Sequence, residues 1–223
     1  YNPKAESAEK FAIQHRIENY TDSLEKLTML TDAVYIASLH ETHYEYAKYM
    51  LNNKKHVLCE KPAVLKKAQA EELYSIAKEN NVVFMEAVKT AYCPGFHAMM
   101  AAAKSGKIGR IIDVEAAFSR LTPVNTREYM AQDYSGSFLE FGSYVCMPVF
   151  ELLGCDYDDV RFHSMRAVNG VDAYTKAVFS FGCKSAEVKT GLGVKTEGQL
   201  LISGTNGYIL AKSPWWLTKE FEI

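Results

Sequence analysis

A chain of 223 residues that is 48% hydrophobic and 23% charged is long and apolar enough to bury a sizeable core, which excludes a disordered polypeptide. Its formal net charge is -2 with no long run of Lys or Arg, so it carries no electrostatic footprint for nucleic acid or an anionic membrane. No apolar stretch approaches the ~18 residues that span a bilayer, and the first residues lack a signal-peptide layout, so the expected location is cytoplasmic.

The five cysteines, Cys59, Cys93, Cys146, Cys155 and Cys183, are scattered without C-x-x-C spacing and read as buried free thiols. Cys59 stands beside Lys61, which would lower its pKa, but no partner base accompanies it and no nucleophilic role is assigned.

In chain order, Asn2 as N-cap and Pro3 at the first helical position predict a helix to about Gln14, with Ala5, Ala8, Phe11 and Ala12 at helical spacing. Ser23 to Leu30 forms a second short helix, and residues 33–38 a buried strand. His40-Glu41-Thr42-His43 opens the next helix, which turns Tyr44, Ala47, Met50 and Leu51 toward the sheet and ends at the polar run 52–55. A strand then runs from His56 to Cys59 and meets Glu60-Lys61-Pro62. Proline has no N–H for a ladder, so the strand stops and its charges sit at the C-terminal tip. In an open parallel sheet ligands bind at that tip, so Lys61 is either a functional cation or a solvated surface lysine, and its placement favours function.

Residues 66–79 are helical, and residues 82–87 form a third strand. Three near-continuous apolar strands alternating with amphipathic helices predict right-handed βαβ units in a doubly wound parallel sheet whose strands are fully buried. After a helix from Gly95 to about Lys104 the pattern changes. Residues 112–118 alternate as a half-exposed strand, one long helix spans residues 138–153, and strands follow at 160–168, 173–181, 185–192, 199–203 and 208–211. That order predicts an α+β unit with an open, mainly antiparallel sheet, joined to the first half at about residues 88–108.

Four blocks carry a family resemblance: Ala33-Val34-Tyr35-Ile36-Ala37-Ser38 with His43, then His56 to Pro62, then Phe84-Met85-Glu86-Ala87, then Gly136 to Tyr144. In this order they resemble the Gfo/Idh/MocA family (glucose–fructose oxidoreductase / inositol dehydrogenase) of oxidoreductases, with its dihydrodiol dehydrogenase-like branch nearest because Tyr144 stands where many members carry His. The resemblance implies a partial Rossmann dinucleotide-binding domain over residues 1–90, N-terminally incomplete, and an α+β domain for substrate binding and oligomerisation over 91–223. Members begin with a strand and a G-x-G-x-x-G turn. Tyr1-Asn2-Pro3 resembles the segment after the family's second strand, so the sequence is expected to be an internal stretch of a longer chain.

The resemblance also implies the cofactor, NAD or NADP, and a hydride transfer to or from a hydroxyl-bearing carbon of a sugar, polyol or dihydrodiol. Such a site needs a cation to polarise oxygen and a group to relay the proton. Lys61 is the expected cation and, with Tyr144, the expected catalytic pair. A phenol has an ordinary pKa near ~10 and needs help as a base at neutral pH.

Ala37, Ser38, Leu39, His40 and His43 match the family's turn along the cofactor, and Glu60, Lys61, Pro62 and Glu86 are expected beside it, with a cis Lys61–Pro62 bond. Glu60 either orients Lys61 or contacts the cofactor ribose. Glu140 and Tyr144 lie on one helix face and, with Arg127, are the substrate-binding candidates. Tyr144 is alternatively a packed tyrosine, Glu140 a structural or solubilising acid, and Arg127 a solvated loop charge. His40 and His43 have no third ligand beside them, so no metal is assigned.

Beyond a small-molecule substrate, the expected partner is a second copy: an uncovered face of the antiparallel sheet would be an apolar patch, which predicts a homodimer or homotetramer. The alternative to catalysis is a dinucleotide- or sugar-sensing regulator on the same fold.

Overall fold

Short apolar runs separated by amphipathic helices build the first part of the chain, and long alternating strands the second. A computed structural model describes residues 1–223, the side chain of Gln132 excepted. It divides into two compact units, Tyr1–Ala87 and Val88–Ile223.

In the first unit, α1 (Ala5–His15) buries Ala8 and Ala12. Asn2 does not cap it: its side-chain oxygen accepts from the Lys4 N–H at 2.9 Å, a local turn that delays the helix start. α2 (Leu24–Leu30) is capped by Ser23, whose hydroxyl accepts from the Lys26 N–H. β1 (Ala33–Ile36), α3 (His40–Asn52), β2 (His56–Cys59), α4 (Lys67–Glu79) and β3 (Phe84–Glu86) follow. The three strands pair in parallel in the order β1-β2-β3, with Val34 opposite Val57 and Val57 opposite Phe84.

Ile36, Val57, Cys59 and Phe84 form one core with Ala47, Met50 and Leu51 of α3 and Leu73 and Ala77 of α4. The strands are not fully buried, as their apolar sequence suggested. Successive side chains point to opposite faces, and on the face away from α3 and α4 Tyr35 is 57% and Leu58 38% exposed.

The second unit opens with a 3₁₀ turn (Lys89–Tyr92), α5 (Pro94–Lys104) and β4 (Ile111–Ser119). After α6 (Arg127–Met130) and α7 (Ser137–Leu153) come β5 (Asp159–Arg166), β6 (Asp172–Phe181), β7 (Lys184–Gly191), β8 (Leu200–Gly204) and β9 (Gly207–Ala211). They form a six-stranded sheet in the order β5-β6-β7-β4-β8-β9. Its pairs are antiparallel except β4 with β7, where Asp113 pairs with Ser185 and Ser119 with Gly191, so the sheet is mixed.

α7 packs across β4, β6 and β7, where Ala116, Ala177 and Ala186 leave room for Val145 and Val149. The opposite face is not the apolar patch expected of it. Lys176 pairs with Glu187, its diagonal neighbour, at 2.6 Å, and Lys189, directly opposite Lys176, bridges Glu187 at 3.6 Å and Glu197 at 2.6 Å, so Glu187 stands between two lysines that would otherwise face each other.

Candidate functional site

In the first unit the predicted residues collect at the C-terminal tips of the parallel strands. The ladder extends one residue past β2: the Glu60 N–H donates to the Ile36 carbonyl at 2.8 Å, and the Ala87 N–H to that of Cys59 at 2.7 Å. Between these anchors Lys61 and Pro62 form a cis turn. The Glu60 carboxylate accepts from the Tyr35 hydroxyl and from the Lys61 backbone N–H, so it holds the turn from one side. Glu86 holds it from the other, accepting from the Ala63 N–H at 3.0 Å. Lys61 is therefore a half-buried side chain carried on a turn whose backbone is fixed at both ends.

His43 does not present its ring to the surface. It is 0% exposed, with Nδ1 2.8 Å from the Pro62 carbonyl oxygen and Nε2 3.1 Å from that of Ser38. It thus links the turn after β1 to the turn after β2. Ala37, Ser38 and Leu39 are exposed beside it at the start of α3, and His40 is half-buried with its ring edge-on to that of His43.

In the second unit Glu140 and Tyr144 lie on α7, each 8% exposed. Such burial removes the solubilising role as an option for Glu140. The Tyr144 ring stands edge-on to Phe118 at 5.2 Å, and Phe118 is stacked between Phe141 at 4.4 Å and Trp216 at 3.7 Å. Pro148, inside α7, has no N–H to donate to the Tyr144 carbonyl four residues earlier. Arg127 is the first residue of α6 rather than part of an open loop, and is half-buried. Trp215 is fully buried, its indole N–H donating to the Ala117 carbonyl at 2.9 Å, and the Thr90 hydroxyl donates to the Trp216 carbonyl at 2.7 Å.

Burial pushes the Cys59 thiol up to about 12, with Glu86 and Glu60 adding to the shift, the reverse of what its neighbour Lys61 suggested. Burial likewise pushes Cys146 up to about 12. Among the described residues no group of three or more His, Cys, Asp or Glu is placed to hold a metal ion.

Sequence reasoning missed three contributors: Tyr35, which reaches Glu60 from the neighbouring strand; Thr90, which fixes the Trp216 turn; and Asp172, whose carboxylate accepts from the N-terminal turn of α7. Only Tyr35 left a readable signal. In the parallel register Tyr35 lies opposite Leu58, two residues before Glu60 and on the same face.

The tips of β1 and β2 suit a dinucleotide: the exposed residues Ala37, Ser38 and Leu39 adjoin the N-terminus of the 13-residue α3, at the carboxyl edge of a parallel sheet. Residues 1–88 match the family model described as "Oxidoreductase family, NAD-binding Rossmann fold". The chain is 33% identical over 193 residues to scyllo-inositol 2-dehydrogenase (NADP(+)) IolU of Bacillus subtilis, covering 81% of this chain and 57% of that protein. It is 27% identical over 216 residues to trans-1,2-dihydrobenzene-1,2-diol dehydrogenase of Xenopus tropicalis, covering 95% and 65%. The chain thus spans about three fifths of the length of these relatives.

Among solved structures, levoglucosan dehydrogenase in complex with NADH and levoglucosan superposes with a TM-score of 0.85 at 20% identity, over 96% of this chain and 64% of that one, a likeness of fold. No helix among the described residues is long and apolar enough to cross a membrane. Residues 1–88 thus match the Gfo/Idh/MocA family of oxidoreductases with an NAD-binding Rossmann fold, and the chain is similar to these two dehydrogenases over 81% and 95% of its length.

Proposed function

We propose that the protein is an NAD(P)-dependent oxidoreductase acting on a hydroxyl-bearing carbon of a sugar, polyol or dihydrodiol. The observation that carries this is the half-buried Lys61 on a turn pinned by Glu60, Glu86 and His43 at the tips of a parallel sheet. The relatives named for scyllo-inositol and dihydrodiol oxidation support the substrate class.

In this reading the backbone at Ala37, Ser38 and Leu39 and the turn at Glu60, Lys61 and Pro62 hold the dinucleotide, with His40 and Glu86 alongside. His43 acts through Ser38 and Pro62 rather than by direct contact. The bound nicotinamide supplies the hydride acceptor or donor. The Lys61 ammonium polarises the substrate oxygen, which favours charge developing there. In the carbonyl-reducing direction Tyr144 donates the proton that this oxygen gains, and in the oxidising direction the same proton returns. Glu140 and Arg127 orient substrate hydroxyls.

The five cysteines are all free thiols, which supports a cytoplasmic location. A homodimer or homotetramer through the sheet of the second unit is the assembly that goes with this reading, with Lys176, Glu187, Lys189 and Glu197 of that face already paired with one another inside the chain. Size-exclusion chromatography with light scattering tests that assembly.

The test of activity is a panel of polyols, sugars and dihydrodiols with full-length protein and NAD or NADP, followed by nicotinamide absorbance. Lys61→Ala is expected to lose most of the rate with the best panel member, and an unimpaired variant would sink the assignment. Tight dinucleotide binding with no turnover of any panel member would assign the sensor function instead.

A further inference from the structure

The N-terminus of α7 has no cap of its own. Gly136, at the N-cap position, has no side chain to offer, yet the Phe138 N–H in the first turn is satisfied. The acceptor is Asp172, the first residue of β6. Its Oδ2 accepts from the Phe138 N–H at 3.0 Å, the Ser137 hydroxyl at 2.7 Å and the Thr175 hydroxyl at 2.7 Å. Each hydroxyl has one hydrogen, so Ser137 and Thr175, having given theirs to Asp172, act as acceptors toward Thr190 and Ser164, both at 2.9 Å. The two hydroxyls that touch Asp172 are therefore both oriented toward its carboxylate.

Asp172 also excludes a side chain at position 136. A Cβ there would lie 2.0 Å from its Oδ1, and Gly136 has a φ of +119°. A carboxylate at the N-terminus of this 17-residue helix further complements its dipole.

Glu140 lies one turn beyond this anchor, its N–H donating to the Gly136 carbonyl at 3.0 Å, and Tyr144 one turn further. We infer that Asp172 is a positioning residue that sets the start and rotation of α7 and thereby places Tyr144 for the reaction. The inference rests on the catalytic reading of Tyr144 given above.

In full-length protein, Asp172→Asn keeps the side chain's size but replaces one acceptor oxygen with an NH₂ donor. Its kcat with the best panel substrate should fall by about 10²-fold, the penalty of a misplaced reacting group, while the Kd for NADH by fluorescence stays within about twofold. In a Tyr144→Phe background the same substitution should cost nothing further. Equal losses in both backgrounds would overturn the inference, since a general structural defect acts regardless of Tyr144.

A readout independent of turnover is the NMR signal of ring-labelled tyrosine, assigned to Tyr144 by its absence in Tyr144→Phe. Asp172→Asn should move that signal, and Ser137→Ala, a milder change, should move it in the same direction. The two failures are separable: a fully active Tyr144→Phe enzyme refutes the catalytic reading, whereas an unmoved Tyr144 signal in Asp172→Asn refutes the positioning role.

Discussion

The buried ring of His43 contacts the Pro62 carbonyl oxygen through Nδ1 at 2.8 Å, and so ties the start of α3 to the turn that carries Lys61. Its other nitrogen faces the Ser38 carbonyl oxygen at 3.1 Å. A neutral imidazole donates to one of these acceptors and an imidazolium to both.

His43→Ala should therefore lower stability by about 2–4 kcal/mol, from the lost hydrogen bonding and the cavity left in a closed site. A urea titration of the full-length protein reads this as a lower midpoint, and His43→Gln, which keeps one donor, should fall between. An unchanged midpoint for the alanine variant would show that the link is dispensable.

Thr90 is wholly buried, and its hydroxyl satisfies the Trp216 carbonyl. Thr90→Val keeps the shape and leaves that carbonyl without its donor, at a cost of about 1–3 kcal/mol. Tryptophan fluorescence during unfolding should register both the loss and a changed native spectrum. A variant indistinguishable from the parent in both respects would contradict the prediction.

Glu115 on β4 has its pKa raised, first by burial and then by Asp113 and Glu187. The folded state therefore holds this proton to higher pH than the unfolded chain. The ionised carboxylate costs stability above the raised pKa, and the cost vanishes below the ordinary carboxylate value of about 4.3. Glu115→Gln should raise the Tm at pH 7 and lose that advantage as the pH falls below about 4. An equal gain at both pH values would show that the cause is not ionisation.

Thiol labelling checks the electrostatics at the strand tip. Cys155 and Cys183 are exposed, whereas burial holds the Cys59 and Cys146 thiols protonated. A disulfide reagent at pH 8 should modify Cys155 and Cys183 rapidly, with Cys59 and Cys146 following only on unfolding. Rapid native-state modification of Cys59 would mean that Lys61, and not burial, governs its thiol.

Much of the fold is legible in residue order because it follows from local periodicity. The apolar spacing of residues 66–79 and the alternation of residues 173–181 each match the observed α4 (Lys67–Glu79) and β6 (Asp172–Phe181) to within one residue. Asn2 misled because a two-residue side-chain turn competes with helix capping, and hydrophobicity alone does not show which outcome prevails. The strand faces misled for a related reason: Tyr35 and Leu58 are apolar enough for a buried sheet, but α3 and α4 pack on the other face. At the site, the proline after Lys61 was visible as a strand stop, whereas the grip of Glu86 on Ala63 spans 23 residues and leaves no local trace.

The sequence by itself determined the element order, the change from parallel to mostly antiparallel architecture and the placing of Lys61 at a strand tip, because period, proline and charge act within a few residues. Tertiary structure alone decided that His43 is a buried clamp, that Glu140 is withdrawn from solvent, and that Asp172 of β6 caps α7. Each of these depends on which distant backbone group lies within hydrogen-bond reach, and that follows from strand register and helix packing.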